Sequence, residues 1–190
     1  MIKELLEKNR SFRRFYEDES VEAATLEALV DLTRLCASSA NLQPLKYAIS
    51  AKRETNARIF PFLKWAGYLK DWPGPSPGER PAAYIIVLGD RTISETNGSD
   101  HGIAAQTILL GAVEAGLGGC IISNVDRGAL VKELTIDERY EILMVIAIGR
   151  PKETVRLEPV GKDGNIKYWR DASGVHHVPK RGLDEIIIRL

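Results

Sequence analysis

The chain predicts one domain of mixed helices and strands, and three observations carry that reading. Its 190 residues are 44% hydrophobic, enough for one well-buried core. Apolar residues recur at helical spacing from Val21 to Cys36 and from Ile103 to Ala115. Tyr84 to Leu88 and Ile142 to Ile148 are instead unbroken apolar runs of strand length. Residues 1–190 therefore read as a single domain, with a C-terminal hairpin and extension over 165–190.

The elements follow in order. Residues 2–8 fit a short helix. Ser20 is a good N-cap for the helix that runs on to Cys36. Leu45 to Ala51 alternates as a strand does. Residues 53–70 carry Ile59, Phe60, Leu63, Trp65 and Leu69 and predict a helix broken near Pro61. The run Trp72-Pro73-Gly74-Pro75-Ser76-Pro77-Gly78 predicts a surface loop, since proline lacks a donor and glycine costs backbone entropy. Trp65, Tyr68 and Trp72, set among Lys64, Lys70 and Asp71, are expected to line a cleft beside it.

Tyr84–Leu88 is a strand buried on both faces. On the 103–115 helix, Ala104, Thr107, Ile108, Gly111 and Ala112 make one face small, which permits close helix approach. Gly116 to Gly119 stops that helix and leads into a short strand, 120–122. Asp126 caps a helix to about Leu134, and 142–148 is a second buried strand. Residues 166–170 and 175–178 predict a β-hairpin around Asp171-Ala172-Ser173-Gly174. Leu183 to Ile188 forms a last apolar segment.

Charge and cysteine usage exclude several functions. Lys+Arg and Asp+Glu both number 26, so no bulk attraction to nucleic acid is expected. Cys36 and Cys120 are too few for a disulfide framework and read as buried thiols. His101, His176 and His177 have no ligand spacing with them, so no metal site is expected. No signal-peptide pattern or membrane-length apolar window occurs, and a cytoplasmic protein is expected.

Two polar clusters carry the functional signal. Arg10-Ser11-Phe12-Arg13-Arg14 concentrates cations and a hydroxyl. With Lys180 and Arg181 it could converge on a phosphate, at about 1.5–3 kcal/mol per charge-assisted hydrogen bond. Taken alone, these arginines are better explained by surface ion pairs with Glu17, Asp18 and Glu19, and Lys180-Arg181 by an ordinary exposed basic pair. Ser38-Ser39-Ala40-Asn41-Leu42-Gln43-Pro44 presents donors and acceptors. It reads either as a helix-ending turn or as a site for a flat, heteroatom-rich ligand such as a flavin mononucleotide. Gly116 to Gly119 is no dinucleotide fingerprint, because it follows a helix and precedes a strand. Ile122-Ser123-Asn124, just beyond that strand, is a place for backbone N–H groups to face a ligand.

The order of these pieces resembles the FMN-dependent nitroreductase family. Residues 9–15, 37–44, 100–106 (Asp100-His101-Gly102-Ile103-Ala104-Ala105-Gln106), 116–120 and 148–151 carry the likeness, together with Pro179-Lys180-Arg181. It implies an α+β fold in which a mostly antiparallel central sheet is flanked by helices on both faces. It also implies an intertwined homodimer with FMN at the interface.

By that resemblance Arg10, Ser11 and Arg13 meet the phosphate and the pyrimidine edge. Ser38, Ser39, Asn41 and Gln43 reach the flavin from the other protomer. Backbone around Ile122, Ser123 and Asn124 faces flavin N5, and Lys180 and Arg181 close on the phosphate. Asn9 stands where many members carry arginine, so one phosphate contact is either missing or supplied by Lys180 or Arg181. The hairpin at 166–178 lengthens the usual approach to that basic pair.

The implied activity is hydride transfer from NADH or NADPH to the flavin and onward to a small acceptor such as a nitroaromatic or quinone, with no side-chain nucleophile. A non-catalytic flavin sensor or store, another reaction of the same fold such as reductive dehalogenation, and a plain structural domain are the alternatives.

Overall fold

A computed structural model describes residues 2–190. Its centre is a four-stranded, wholly antiparallel sheet in the order β1 (Leu45–Ser50), β2 (Ala83–Asp90), β4 (Tyr140–Gly149), β3 (Gly118–Ile122). Alternation along the strands sorts the core into two layers. Tyr84, Ile86 and Leu88 of β2 share one face with Val145 and Ala147 of β4, against Phe15, Ile59 and Leu130. Ile85 and Val87 share the other with Ile146 and Ile148, against Leu26, Leu29 and Ile108. Helices α3 (Arg53–Ile59) and α5 (Arg127–Leu134) thus cover the first face. Helices α2 (Ala23–Asp31) and α4 (Asp100–Glu114) cover the second. All eight residues of β2 are buried, as an unbroken apolar run between two layers requires.

The small face of α4 has its expected purpose. A Cβ at Gly111 would lie 2.5 Å from Leu32 and 3.0 Å from Leu29, so glycine lets α4 seat directly on α2. Asp126 caps α5 as expected, its Oδ1 accepting from the Ala129 N–H at 3.1 Å.

Three elements differ from expectation. Ser20 does not cap α2; Glu22 precedes its first residue and offers no side-chain hydrogen bond. Residues 53–70 do not form one broken helix. The α-helix ends at Ile59, a 3-10 turn spans Phe60–Phe62, and Leu63 then bridges Val125 while the Lys64 N–H donates to the Asn124 carbonyl at 3.0 Å. Tertiary pairing outcompetes helix continuation there. Of the aromatics expected in a cleft, Trp65 is buried in the core.

Beyond Gly149 the chain builds a second sheet, order β5-β7-β6. The expected hairpin is present but shorter: β6 (Trp169–Arg170) pairs antiparallel with β7 (His176–Lys180). The unexpected strand is β5 (Val155–Pro159), which pairs with β7 in parallel. Helix α6 (Leu183–Ile186) follows, with Leu183, Ile186 and Ile187 exposed. The segment after Trp65 docks this sheet. Tyr68 and Tyr168 rings meet at 4.9 Å, and the Arg170 guanidinium lies 4.8 Å from the Trp72 ring centroid.

His177 pins the small sheet by bridging two carboxylates, Nδ1 to Glu158 at 2.7 Å and Nε2 to Asp171 at 3.0 Å, under the stacked Trp169 ring. Hydrogen bonding to Asp171, then to Glu158, raises its affinity for a proton, while His177 and Ser173 hold Asp171 well below the ordinary carboxylate range. A raised histidine stabilises fully below its unfolded value of about 6.5 and loses that contribution as pH rises through the folded one. A depressed aspartate stabilises above about 3.9 and loses that contribution as pH falls. Amide exchange in β6 and β7, corrected for intrinsic rates, is therefore expected to accelerate as pH rises above about 6.5, and His177→Ala should abolish the dependence. A flat profile in the unaltered protein would contradict the bridge.

Candidate functional site

The cationic motif is an extended segment stitched into the edge of the main sheet. Ser11 bridges Gly119 and Phe15 bridges Pro151, with the Phe12 N–H donating to the Gly119 carbonyl at 3.0 Å. The glycine pair at the start of β3 is needed for this seat, because a Cβ on Gly118 would lie 2.5 Å from the Phe12 ring. Burying Phe12 and Phe15 on the sheet side leaves Arg10 and Arg13 to flank a cavity of about 450 Å³, within the roughly 300–1,000 Å³ typical of small-molecule sites.

That cavity gathers Asn9, Arg10, Ser11, Arg13 and Lys180, and among the described residues no carboxylate lines it. Three cations with no acid among them is a donor set for an anion. Arg10 donates to the Leu6 carbonyl at the end of α1 (Ile2–Lys8), yet its Nε is buried without a partner among the described residues. Burial also lowers the pKa of its guanidinium. Arg13 is held from three sides: Nη1 donates to the Ser11 carbonyl at 3.1 Å and to His176 Nε2 at 3.3 Å, and the guanidinium lies 5.0 Å from the Tyr168 ring centroid. Another cavity, of about 440 Å³, is bordered by both Glu17 and Asp18 and both Arg53 and Arg80; it collects none of the residues expected to bind.

The C-terminal sheet closes the cavity through Glu153, whose side chain is 0% exposed. Its Oε1 accepts from the backbone N–H groups of Arg13 and Arg14, and its Oε2 from the Arg170 guanidinium at 2.9 Å. One carboxylate thus ties the cationic segment to β6.

The second cluster lies elsewhere in the chain, at the N-terminus of α4. Asp100, 5% exposed, accepts from Ser38 Oγ at 2.5 Å and from the Ser39 N–H at 3.0 Å, and Ser38 Oγ in turn accepts from the Gln43 N–H at 2.9 Å. Ser38 is therefore occupied in shaping the loop. Ser39, Asn41 and Gln43 are exposed, and Gln43 Nε2 donates to Asn41 Oδ1 at 3.2 Å. Ala40, Asn41 and Gln43 all adopt left-handed φ, 49°, 54° and 52°. Such strain at non-glycine residues persists only where surroundings enforce it. Asp100→Ala is expected to cost about 3 kcal/mol, since two donors lose a charged acceptor. Urea unfolding checks this, and a loss under about 0.5 kcal/mol would show that the loop holds itself.

Other expected site residues divide. Lys180 lines the cationic cavity, but Arg181 does not; it donates to Glu185 one helical turn on, at 3.0 Å. Ile122 is 4% exposed and packs into the core, so its side chain faces away, whereas its neighbour Ile121 lines the cavity. Ser123 and Asn124 are exposed outside it, their carbonyls accepting from Arg127 and from the Lys64 N–H. Ser38 and Gln43 border a separate hollow of about 230 Å³. Sequence reasoning missed Gln106, Ile121, Tyr168 and His176. Alternation in β3 signals Ile121; the other three become neighbours only through tertiary folding.

An antiparallel sheet between helix layers, with a cationic pocket at its edge, defines the α+β class to which this protein belongs. The profile of the nitroreductase family matches residues 6–150, and the chain belongs to that family. Solved structures share the fold. A nitroreductase family protein from Streptococcus pneumoniae TIGR4 is 18% identical, with a TM-score of 0.71 over 100% of both chains. An FMN-dependent nitroreductase from Clostridium difficile R20291 is 24% identical, with a TM-score of 0.64 over 80% of this chain and 88% of its own. A provisionally named nitroreductase in complex with FMN from Exiguobacterium sibiricum 255-15 is 16% identical, with a TM-score of 0.66 over 80% and 89%. Among the described residues, no helix is long and apolar enough to cross a membrane.

Proposed function

We propose that this chain is an FMN-dependent oxidoreductase, working as a cytoplasmic homodimer, which takes electrons from NADH or NADPH and passes them to a small acceptor such as a nitroaromatic or quinone. The observation that carries the reading is the acid-free cavity with three cations, in a chain of the nitroreductase family. When bound, FMN supplies the redox chemistry, exchanging a hydride at N5. The residues fit such a group. Arg10 and Lys180 offer charge-assisted donors to a phosphate, with Asn9 and Ser11 adding neutral ones. Ile121 and Leu109 offer apolar wall to a ring. Arg13, fixed by Ser11, His176 and Tyr168, sets a positive charge in the same wall, suited to the negative charge that a reduced flavin accumulates. Ser39, Asn41 and Gln43, exposed on a strained loop outside the cavity, are suited to reach a cofactor held by a second protomer.

Anaerobic mixing of the FMN-loaded protein with NADH and with NADPH tests the activity. Flavin absorbance is expected to bleach with at least one and to return on adding a quinone or nitroaromatic. If FMN stays oxidised with both, the protein is a flavin binder without turnover and the oxidoreductase reading fails.

A further inference from the structure

We propose that His176 is a cofactor-binding residue: its ring Nδ1–H donates to an acceptor on the ring end of the bound flavin. The inference rests on the FMN reading above and adds a residue that the cationic motif does not contain. Arginine has donors only. The 3.3 Å contact from Arg13 Nη1 therefore makes His176 Nε2 an acceptor, and the ring proton sits on Nδ1. Burial, with Arg13 and Arg170 nearby, pushes the His176 pKa down to about 4, so the neutral tautomer holds at neutral pH.

His176 is 0% exposed, and its Nδ1 has no hydrogen-bond partner among the described residues. A buried donor without an acceptor is unfavourable, and a ligand acceptor would satisfy it. His176 also forms part of the wall of the cationic cavity, where Arg10 Nε is the other buried donor without a partner.

Strand β7 sets which end of the ligand each residue meets. His176, Val178 and Lys180 alternate onto the cavity, while His177 turns away to Glu158 and Asp171. Four residues at about 3.3 Å each place the backbones of His176 and Lys180 about 13 Å apart, the scale of an extended flavin nucleotide from phosphate to pyrimidine. Lys180 falls at the anionic end. His176 falls beside Tyr168 and Arg13, at the ring end.

The test is titration of FMN and of riboflavin into the full-length protein freed of flavin, followed by flavin fluorescence. Asparagine can place an N–H near the Nδ1 position; glutamine reaches only toward Nε2. His176→Asn is expected to bind both ligands within about threefold of the unaltered protein, and His176→Gln to lose about tenfold for both alike. An unchanged His176→Gln, an equal loss in His176→Asn, or a loss confined to FMN would overturn the assignment. Histidine ¹⁵N spectra of the unaltered protein need no variant: riboflavin should shift the His176 Nδ1 signal, and no shift would overturn the proposal. Failure of the unaltered protein to bind either flavin would remove the FMN reading as well, whereas normal binding with an indifferent His176 leaves that reading standing.

Discussion

Glu153→Ala is expected to lower the unfolding free energy by about 3–5 kcal/mol and to release the C-terminal sheet. The buried carboxylate is the shared acceptor for the Arg13 and Arg14 N–H groups and for the Arg170 guanidinium. Removing it leaves the largely buried Arg170 charge and two backbone donors without their acceptor, and an unpaired buried charge is the expensive outcome. Flavin binding should fall with stability, because Tyr168, His176 and Lys180 all reach the cavity from that sheet. Urea unfolding read by circular dichroism measures the loss, and hydrogen exchange locates it. A loss below about 1 kcal/mol, with β6 still protected, would show that aromatic contacts at Tyr68 and Trp72 suffice to dock the sheet.

Arg10→Ala is expected to weaken FMN about 10- to 100-fold while sparing riboflavin. A charge-assisted hydrogen bond to phosphate contributes about 1.5–3 kcal/mol, and each 1.4 kcal/mol is a factor of ten. The loss should shrink as salt rises, since screening weakens the charge term in the unaltered protein. Lys180→Ala should act in the same direction but less, its side chain being the more exposed of the two. Equal losses for FMN and riboflavin would mean that Arg10 supports the pocket wall rather than the phosphate.

The inner strand β2 was legible because its burial is complete. A run such as Tyr84–Leu88, with no polar interruption, has few alternatives to an inner strand. The Asp126 cap was legible because capping is local. What escaped depends on partners distant in sequence. Val155–Pro159 alternates only weakly and ends in proline, and it is a strand because β7, some twenty residues on, pairs with it in parallel. The helix expected through residue 70 stops at Ile59 because Leu63 finds Val125 instead.

The candidate site divides along the same line. Arg10, Ser11, Arg13 and Lys180 stand in compact motifs and meet in one cavity. Arg181 was grouped with Lys180 by adjacency, yet the end of β7 sends it to Glu185. Asp100 appeared in a matching motif with no role assigned, because only the folded chain shows its carboxylate under Ser38 and Ser39. His176 gave no sequence signal, since its contact is with Arg13, which lies at the other end of the chain.

Native mass spectrometry of the purified full-length protein is the most direct measure of whether the cationic cavity holds a flavin nucleotide between paired subunits. The expected spectrum is a dimer of the 21.1 kDa chain with one FMN per subunit, released as FMN on denaturation. A monomer that carries no flavin, and gains none when FMN is added, would contradict it.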